Sequence, residues 1–240
     1  MRLAAPFLCA ASRALALPVT PGPALLQGGK SAAGSPLQII ILLTALALLP
    51  AVVMSVTPFL RITVVLHFLR QALGTQSTPS NQVLVGLSLF LSFLIMQPIV
   101  NEIYETAWKP YEQGTITSQQ AYDTGVKPVR SFLIRFARER DIRLMLELTH
   151  ASAPARPSDL SLSVLLPAYV LSELKAGFQI GAVLYLPFLI IDLIVASVTL
   201  SVGMVQLPPV MISAPFKILL FVLADGWNLV IGALMRSFGT

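Results

Sequence analysis

Four long runs of apolar residues divide the chain, and more polar stretches separate them. Each run has about twenty residues, which is the length that an α-helix needs to cross a hydrocarbon core of ~30 Å. The runs therefore predict an all-α membrane protein, built of long hydrophobic hairpins together with amphipathic helices. They cover residues 37–57, 82–103, 180–202 and 216–235.

Residues 59–73 predict an amphipathic helix rather than a further membrane span. Arg61, His67 and Arg70 interrupt its apolar positions, and Gly74 supplies a stop signal directly after it.

Residues 104–160 form the main polar segment. Pro128 is expected at the first position of a helix that starts over residues 123–128. Beyond it, apolar residues recur at helical spacing on two short faces. The segment is either a solvated connector or a pair of helices packed on neighbouring subunits. The two faces comprise Val129, Phe132, Leu133 and Phe136, and then Ile142, Met145 and Leu146.

The N-terminal region has the layout of a secretory signal. In residues 1–16, Arg2 precedes a short apolar core, and small residues ending at Ala16 form a cleavage site. An uncleaved leader is the alternative. Residues 17–36, rich in Pro, Gly and Ala, predict a flexible linker, and residues 37–240 then form one membrane domain.

An exported leader would also fix the orientation of the chain. The short loop with Arg61 and Arg70 would then lie inside, in keeping with the excess of basic residues in cytoplasmic loops. Residues 104–179 would lie on the opposite, periplasmic side.

Composition places the chain among membrane proteins. Only 11% of its 240 residues are charged and its mean hydropathy is +0.79, whereas a soluble domain has about a quarter of its residues charged. The net charge of +5 is spread over many segments. We therefore expect membrane lipid, and no nucleic acid, among the partners. The sole cysteine, Cys9, excludes an intrachain disulfide.

The sequence contains no motif of enzymatic chemistry. Neither histidine has a second ligand at metal spacing, and there is no P-loop and no G-x-S-x-G. Asp192 and Asp225 are the one acidic pair that intramembrane catalysis would use. We expect no enzyme, no metal site and no cofactor.

Isolated charges lie within the last two apolar regions. A lipid-facing helix would hold each of them at a cost of a few kcal/mol, so these helices are predicted to face protein or water. Glu173 and Asp192 are natural partners for Lys217, in the same chain or in a neighbouring copy. A proton or ion relay is the alternative. The predicted buried charges are Glu173, Lys175, Asp192, Lys217 and Asp225.

A stripe of small residues lies just before the third apolar run. Ala168, Ser172 and Ala176 recur every four residues and so share one helix face. Gly177 and Gly181 form a G-x-x-x-G, which lets two helix backbones approach closely. The stripe predicts tight packing against another helix.

A short connector joins the third and fourth apolar runs. Its two adjacent prolines prevent a regular helix through it. The connector is either a tight turn between two hairpin helices or a place where flexible methionines from several copies close a ring. The candidate ring residues are Met204, Val205, Gln206 and Met211.

Two long segments resemble the signatures of a known family. PAYVLSELKAGFQIG at residues 167–181 and PFKILLFVLADGW at residues 215–227 resemble those of the FliP family, export-gate membrane proteins of flagellar type III secretion. TPFLRITVVLHFLRQALGTQ at 57–76 and NQVLVGLSLFLSF at 81–93 agree with it. The resemblance covers residues 37–240.

This resemblance implies a function, partners and a location. FliP-like subunits assemble as a pentamer with FliQ-like and FliR-like subunits, beside other export-apparatus membrane proteins, into a helical cone. Unfolded flagellar proteins pass through its channel. The expected location is the bacterial inner membrane at the flagellar basal body, with a large part of the chain raised towards the periplasm.

The resemblance also implies a methionine-rich gasket that falls on Met204, Val205 and Gln206. Three methionines are common there, so this chain departs from the pattern at Val205 and at Gln206, whose polar side chain could wet the constriction. Two other functions remain open. One is a virulence type III export-gate homologue, and the other is an ion-coupled transporter that uses Asp192 and Asp225.

Overall fold

A computed structural model describes residues 36–75, 77–152, 154, 156–204 and 208–239. Throughout these residues the regular structure is helical. The chain divides into two units, Met1–Ala47 and Leu48–Thr240; helix α1 begins in the first and ends in the second. The helices are α1 (Pro36–Val56), α2 (Phe59–Ala72), α3 (Asn81–Ile103), α4 (Lys109–Glu112), α5 (Ser118–Phe136), α6 (Glu139–Leu148), α7 (Leu162–Ser201), α8 (Pro209–Leu223) and α9 (Gly226–Arg236).

The all-α membrane class predicted from the apolar runs is confirmed. Within the described ranges, three helical stretches are long and apolar enough to cross a membrane: Ile39–Val56, Asn81–Glu112 and Leu162–Ser201. The second stretch joins α3 to α4 through a π-helical turn, Tyr104–Trp108. It therefore runs past the boundary at residue 104, where the sequence placed the start of the polar segment.

The fourth apolar run is broken rather than continuous. Helices α8 and α9 meet at an angle of 66°. Asp225 lies between them with φ +49°, in the left-handed region that ends a right-handed helix. A regular helix over residues 216–235 is therefore wrong, and the pair counts as one span only if the bend is included.

Helix α5 starts earlier than the sequence suggested. Thr117 and Gln120 form a capping box, in which each side chain bonds to the other residue's backbone N–H. The helix therefore begins at Ser118, and Pro128 is buried inside it rather than at its first position. The predicted apolar face is confirmed, since Phe132 is buried. This face packs in the core of this chain, against α3 and α7, so it is neither a solvated connector nor a face covered by neighbouring subunits.

The core of the second unit is organised around α2. Its buried residues recur at helical spacing and include Ile62, Val65, Leu66 and Leu69, each at most 1% exposed. Helix α2 packs on α3 and, along a longer contact, on the first half of α7. The amphipathic helix predicted over residues 59–73 is confirmed, and its buried side lies in the core of this unit.

Helix α7 has 40 residues and is about 60 Å long at 1.5 Å per residue. That length is about twice the thickness of a hydrocarbon core. Its two halves differ in environment. Most of its buried residues lie between Val164 and Gly181, whereas Leu193 and Val198 in the second half are exposed.

Two glycines of α7 allow α2 to approach closely. A Cβ atom on Gly177 would lie 3.1 Å from Val64 Cβ, and one on Gly181 would lie 2.6 Å from Phe68 Cγ. The second distance is too short for any side-chain atom, so α2 and α7 depend on the missing Cβ at that position.

We expect Gly181→Ala to destabilise the chain by about 1–3 kcal/mol, because the new methyl group overpacks against the inner atoms of Phe68. The measurement is the unfolding temperature of the purified chain in detergent. Gly86→Ala is the matched control, since a Cβ there meets nothing within 4 Å. It should stabilise α3 by up to about 1 kcal/mol. Equal effects of the two substitutions would contradict the close approach.

Candidate functional site

Arg61 and Glu173 form an ion pair in the core, between α2 and α7. Arg61 Nη2 lies 2.5 Å from Glu173 Oε1, and the two side chains are 8% and 0% exposed. Arg61 Nη1 also donates to Ser237 Oγ at 3.2 Å. Its guanidinium lies 4.0 Å from the centroid of the Phe238 ring, within the range of a cation–π contact. One arginine therefore joins α2, α7 and the segment after α9.

The Arg61–Glu173 pair is costly to break. Burying a charge is strongly unfavourable unless an opposite charge accompanies it. In the part of the chain that the structure describes, Glu173 Oε2 and the Tyr169 hydroxyl are buried without a hydrogen-bond partner. Arg61 is therefore the charge that offsets the desolvation of Glu173.

Lys217 and Asp192 form a second ion pair, between α8 and α7. Lys217 Nζ lies 2.5 Å from Asp192 Oδ2, and the side chains are 1% and 22% exposed. Ser213, one turn before Lys217 on α8, donates its hydroxyl to Asp192 Oδ1 at 2.5 Å. Asp192 therefore accepts from two α8 side chains, which link the two helices of the hairpin.

Lys175 and Asp141 form a third ion pair, between α7 and α6. Asp141 is 1% exposed and accepts a hydrogen bond of 2.8 Å from the Ser172 hydroxyl. Ser172 in turn accepts from the backbone N–H of Arg138 at 2.9 Å. These bonds hold the start of α6 against α7.

The surroundings of Asp141 shift its ionisation. Burial alone would raise the pKa of this carboxyl group. Hydrogen bonds from Lys175 and Ser172, with the positive charges of Lys175 and Arg138, outweigh burial and lower the pKa below its ordinary value. Asp141 is therefore held in its charged form.

The five charges predicted from the sequence do not form one cluster. Asp192 and Lys217 meet each other, whereas Glu173 pairs with Arg61 rather than with Lys217. Lys175 belongs to a separate pair. Asp225 is exposed at the bend before α9, where its carboxylate accepts from Asn228 Nδ2 at 3.1 Å.

Two of the pairing partners, Arg61 and Asp141, were not assigned from the sequence. Arg61 precedes Ile62 and Val65 on the buried side of α2, so the amphipathic spacing of that helix could have identified it as a buried cation. Asp141 carried no comparable signal, because the first turn of α6 also contains the exposed Glu139.

The predicted packing residues lie along the first half of α7. Ala168, Ser172, Gly177 and Gly181 are buried, and Ala176 is half-buried. The two glycines face α2 within the same chain. Ser172 lies against α6, where its hydroxyl bonds with Asp141.

The connector between α7 and α8 is described only at its two ends. Met204 and Met211 are 44% and 73% exposed. Val205 and Gln206 lie outside the described residues, so their predicted place in a gasket stays a prediction. Among the residues that the structure describes, no three His, Cys, Asp or Glu side chains gather as metal ligands.

Comparison with known proteins identifies the family of this chain. The profile of the FliP family matches residues 42–234, which include all three ion pairs. The chain belongs to the FliP family. The match also contains both segments that carried the resemblance, residues 167–181 and 215–227.

Individual relatives of the FliP family support this assignment. The chain is 48% identical over 212 residues to the flagellar biosynthetic protein FliP of Pectobacterium carotovorum subsp. carotovorum, covering 88% of this chain and 82% of the relative. It is 48% identical over 202 residues to that of Cereibacter sphaeroides, covering 84% and 67%. It is 45% identical over 204 residues to that of Bacillus subtilis (strain 168), covering 85% and 92%.

Membership of the FliP family makes the chain a membrane component of the flagellar export apparatus. Its long apolar helices agree with a membrane-embedded protein. In this setting the ion pairs have a clear physical purpose. They offset the cost of burying charged side chains among apolar helices.

We expect Lys217→Met to destabilise the chain by about 3 kcal/mol, since it leaves Asp192 without a cation. Adding Asp192→Leu should recover most of this loss, because both charges are then gone and Ser213 keeps its bond to the Val210 carbonyl. The measurement is the unfolding free energy of the three variants in detergent. Asp225→Asn is the control, since Asp225 is exposed and asparagine tolerates its positive φ. Additive effects of the two substitutions at 217 and 192 would contradict the pair.

Acid should weaken the contact between α6 and α7. A lowered pKa in the folded chain means that Asp141 contributes stability above its ordinary pKa of 3.8. This stability is lost as the pH falls through the folded value, because the unfolded chain binds its proton first. At neutral pH the wild-type chain should therefore have a higher unfolding temperature than the Asp141→Asn variant. In acid the two unfolding temperatures should become equal. A difference independent of pH would contradict this role of the charge.

Proposed function

We propose that this chain is a core subunit of the flagellar type III protein export gate. It assembles with copies of itself, as a pentamer, and with FliQ-like and FliR-like subunits, beside other membrane proteins of the export apparatus. The assembly forms the channel through which unfolded flagellar proteins leave the cell. The observation that carries the proposal is the family match over residues 42–234.

The distribution of charge and apolar surface supports such an assembly. Arg61, Glu173, Asp192 and Lys217 are neutralised within the chain, which leaves the outer surface of the α7–α8 hairpin apolar. An exposed apolar area of this extent is typical of a surface that lipid or other subunits cover. It includes Leu189, Ile190, Leu193, Ile194, Val198, Leu200, Val210, Met211, Phe216, Leu219, Val222 and Leu223.

The tip of the α7–α8 hairpin is the proposed gasket, formed by Met204, Val205, Gln206 and Met211. Methionine is flexible and polarizable, so several copies can close around objects of varied shape. Gly203, with φ +80°, makes the turn after α7 possible. Gln206 adds a polar group to a ring that is otherwise apolar, and we infer a wetter constriction in this chain.

The proposed location is the inner membrane at the flagellar basal body, with part of the chain raised towards the periplasm. Residues 1–16 act as the signal peptide, 17–36 as a linker and 37–240 as the membrane domain. The length of α7, ~60 Å, supports a raised position, because a bilayer core of ~30 Å covers only half of it.

The proposed mechanism is passive, since the gate provides a path and other export components supply the energy. The alternative of a virulence homologue shares this mechanism, but the relatives compared above are named as flagellar proteins. A transporter based on Asp192 and Asp225 has less support. Asp192 is paired with Lys217, and Asp225 is exposed at the α8–α9 bend.

Deleting residues 204–206 tests whether the connector seals the closed channel. In cells that carry the assembled complex, we expect a higher ion conductance of the membrane, with an unchanged yield of complex on native gels, because only the seal is lost. Gln206→Met should lower the basal leak, since it removes a polar group from the constriction.

Unchanged conductance after the deletion would contradict the gasket. A proton flux into vesicles that contain this chain alone would favour the transporter instead. The export function is tested separately, by the secretion of flagellar proteins. If secretion is lost when the gene is deleted and recovers on re-expression, the export function holds even where the conductance contradicts the gasket.

A further inference from the structure

An exposed group of aromatic side chains lies at the far end of the second apolar stretch. Tyr104, Trp108 and Tyr111 are 49%, 54% and 46% exposed. Tyr104 and Trp108 are the first and last residues of the π-helical turn and so lie about one turn apart. Tyr111 follows Trp108 by three residues, in α4, and lies near it on the helix surface. We refer to these three residues as the aromatic face.

The aromatic face continues an exposed apolar stripe on α3. Phe93 and Val100 are 63% and 49% exposed, and they precede Tyr104 by eleven and four residues on the same side. The exposed Gln97 also lies on this side, between Phe93 and Val100. Beyond Val100 the stripe continues as side chains that have a large apolar ring and a polar tip. Trp has an indole N–H and Tyr a hydroxyl, each at the end of a large apolar ring.

The length of the helix matches the thickness of a bilayer. Asn81 begins α3, and Arg70 donates to its side chain at 2.6 Å, so this end is polar. From Asn81 to Tyr104 the helix rises about 35 Å at 1.5 Å per residue. A hydrocarbon core is ~30 Å thick, and a modest tilt removes the difference.

Charged side chains lie at the same level of the helix as the aromatic face, and the exposed Glu102 directly precedes it. Lys109 and Glu105 form an ion pair of 2.8 Å, with side chains 47% and 59% exposed. Charged groups with this exposure require water or lipid headgroups. The aromatic face therefore lies at the boundary between an apolar stripe and a polar helix end.

We propose that the aromatic face docks in the headgroup region of one bilayer leaflet and fixes the depth of α3 in the membrane. Trp and Tyr are favoured at this level because the ring stays among acyl chains while the N–H or hydroxyl reaches water and ester oxygens. The proposed occupant is phospholipid, since the helix from Asn81 to the aromatic face is long and apolar enough to span one bilayer core. The proposal does not depend on the export function.

Single-tryptophan variants of the full chain test the proposal. The sequence has two tryptophans, so Trp227→Phe leaves Trp108 as the sole reporter, and phenylalanine keeps an aromatic ring beside Phe221. Trp108→Phe reports Trp227 alone and is the matched control. Both are reconstituted into phosphatidylcholine vesicles with bromine atoms either near the headgroup or near the end of the acyl chain. Their unfolding temperatures check that both fold.

Trp108 should show blue-shifted emission and a larger fractional loss of fluorescence with the shallow bromines than with the deep ones. A larger loss of Trp108 fluorescence with the deep bromines would overturn the proposal, since Trp108 would then lie in the hydrocarbon core and not at the headgroups. Quenching by aqueous acrylamide without loss to either lipid would also overturn it. Protection of Trp108 from both acrylamide and the brominated lipids would overturn the proposal as well, because protein, such as a second copy, would then cover the aromatic face.

Discussion

A charged side chain within an apolar helix needs an opposite charge close by, and this requirement governs the structure. Arg61–Glu173, Lys175–Asp141 and Asp192–Lys217 each meet it. All three pairs include a residue of α7, so they connect this helix in turn to α2, α6 and α8. The cost of an unpaired charge in a low-dielectric setting therefore selects one arrangement of helices among the many that apolar contacts alone would allow.

Close backbone approach and charge pairing reinforce each other at the α2–α7 contact. Gly177 and Gly181 bring α7 against Val64 and Phe68, and Glu173 lies one turn before Gly177 on the same helix. An ion pair needs short distances, and small residues permit them where large side chains would hold the helices apart. The position of Glu173 beside two glycines thus has a mechanical as well as an electrostatic reason.

The sequence predicted the helices well and their partners less well. Apolar periodicity reports local geometry, which explains why residues 59–73 and the long apolar runs were identified. The partners of Glu173 and Lys175 are remote in sequence, and no local pattern encodes which remote charge a helix will meet. The bend at Asp225 was missed because the hydropathy of the run continues across it. The gasket residues Val205 and Gln206 remain known from the sequence alone.

The contact of Arg61 with Ser237 and Phe238 has a consequence for the biosynthesis of the chain. Arg61 leaves the ribosome early, but its two contacts after α9 follow 176 or more residues later. The guanidinium group of Arg61 therefore lacks these two contacts until nearly the whole chain has been translated. Contacts so distant along the chain slow folding. The core around Arg61 is therefore completed only at the end of synthesis.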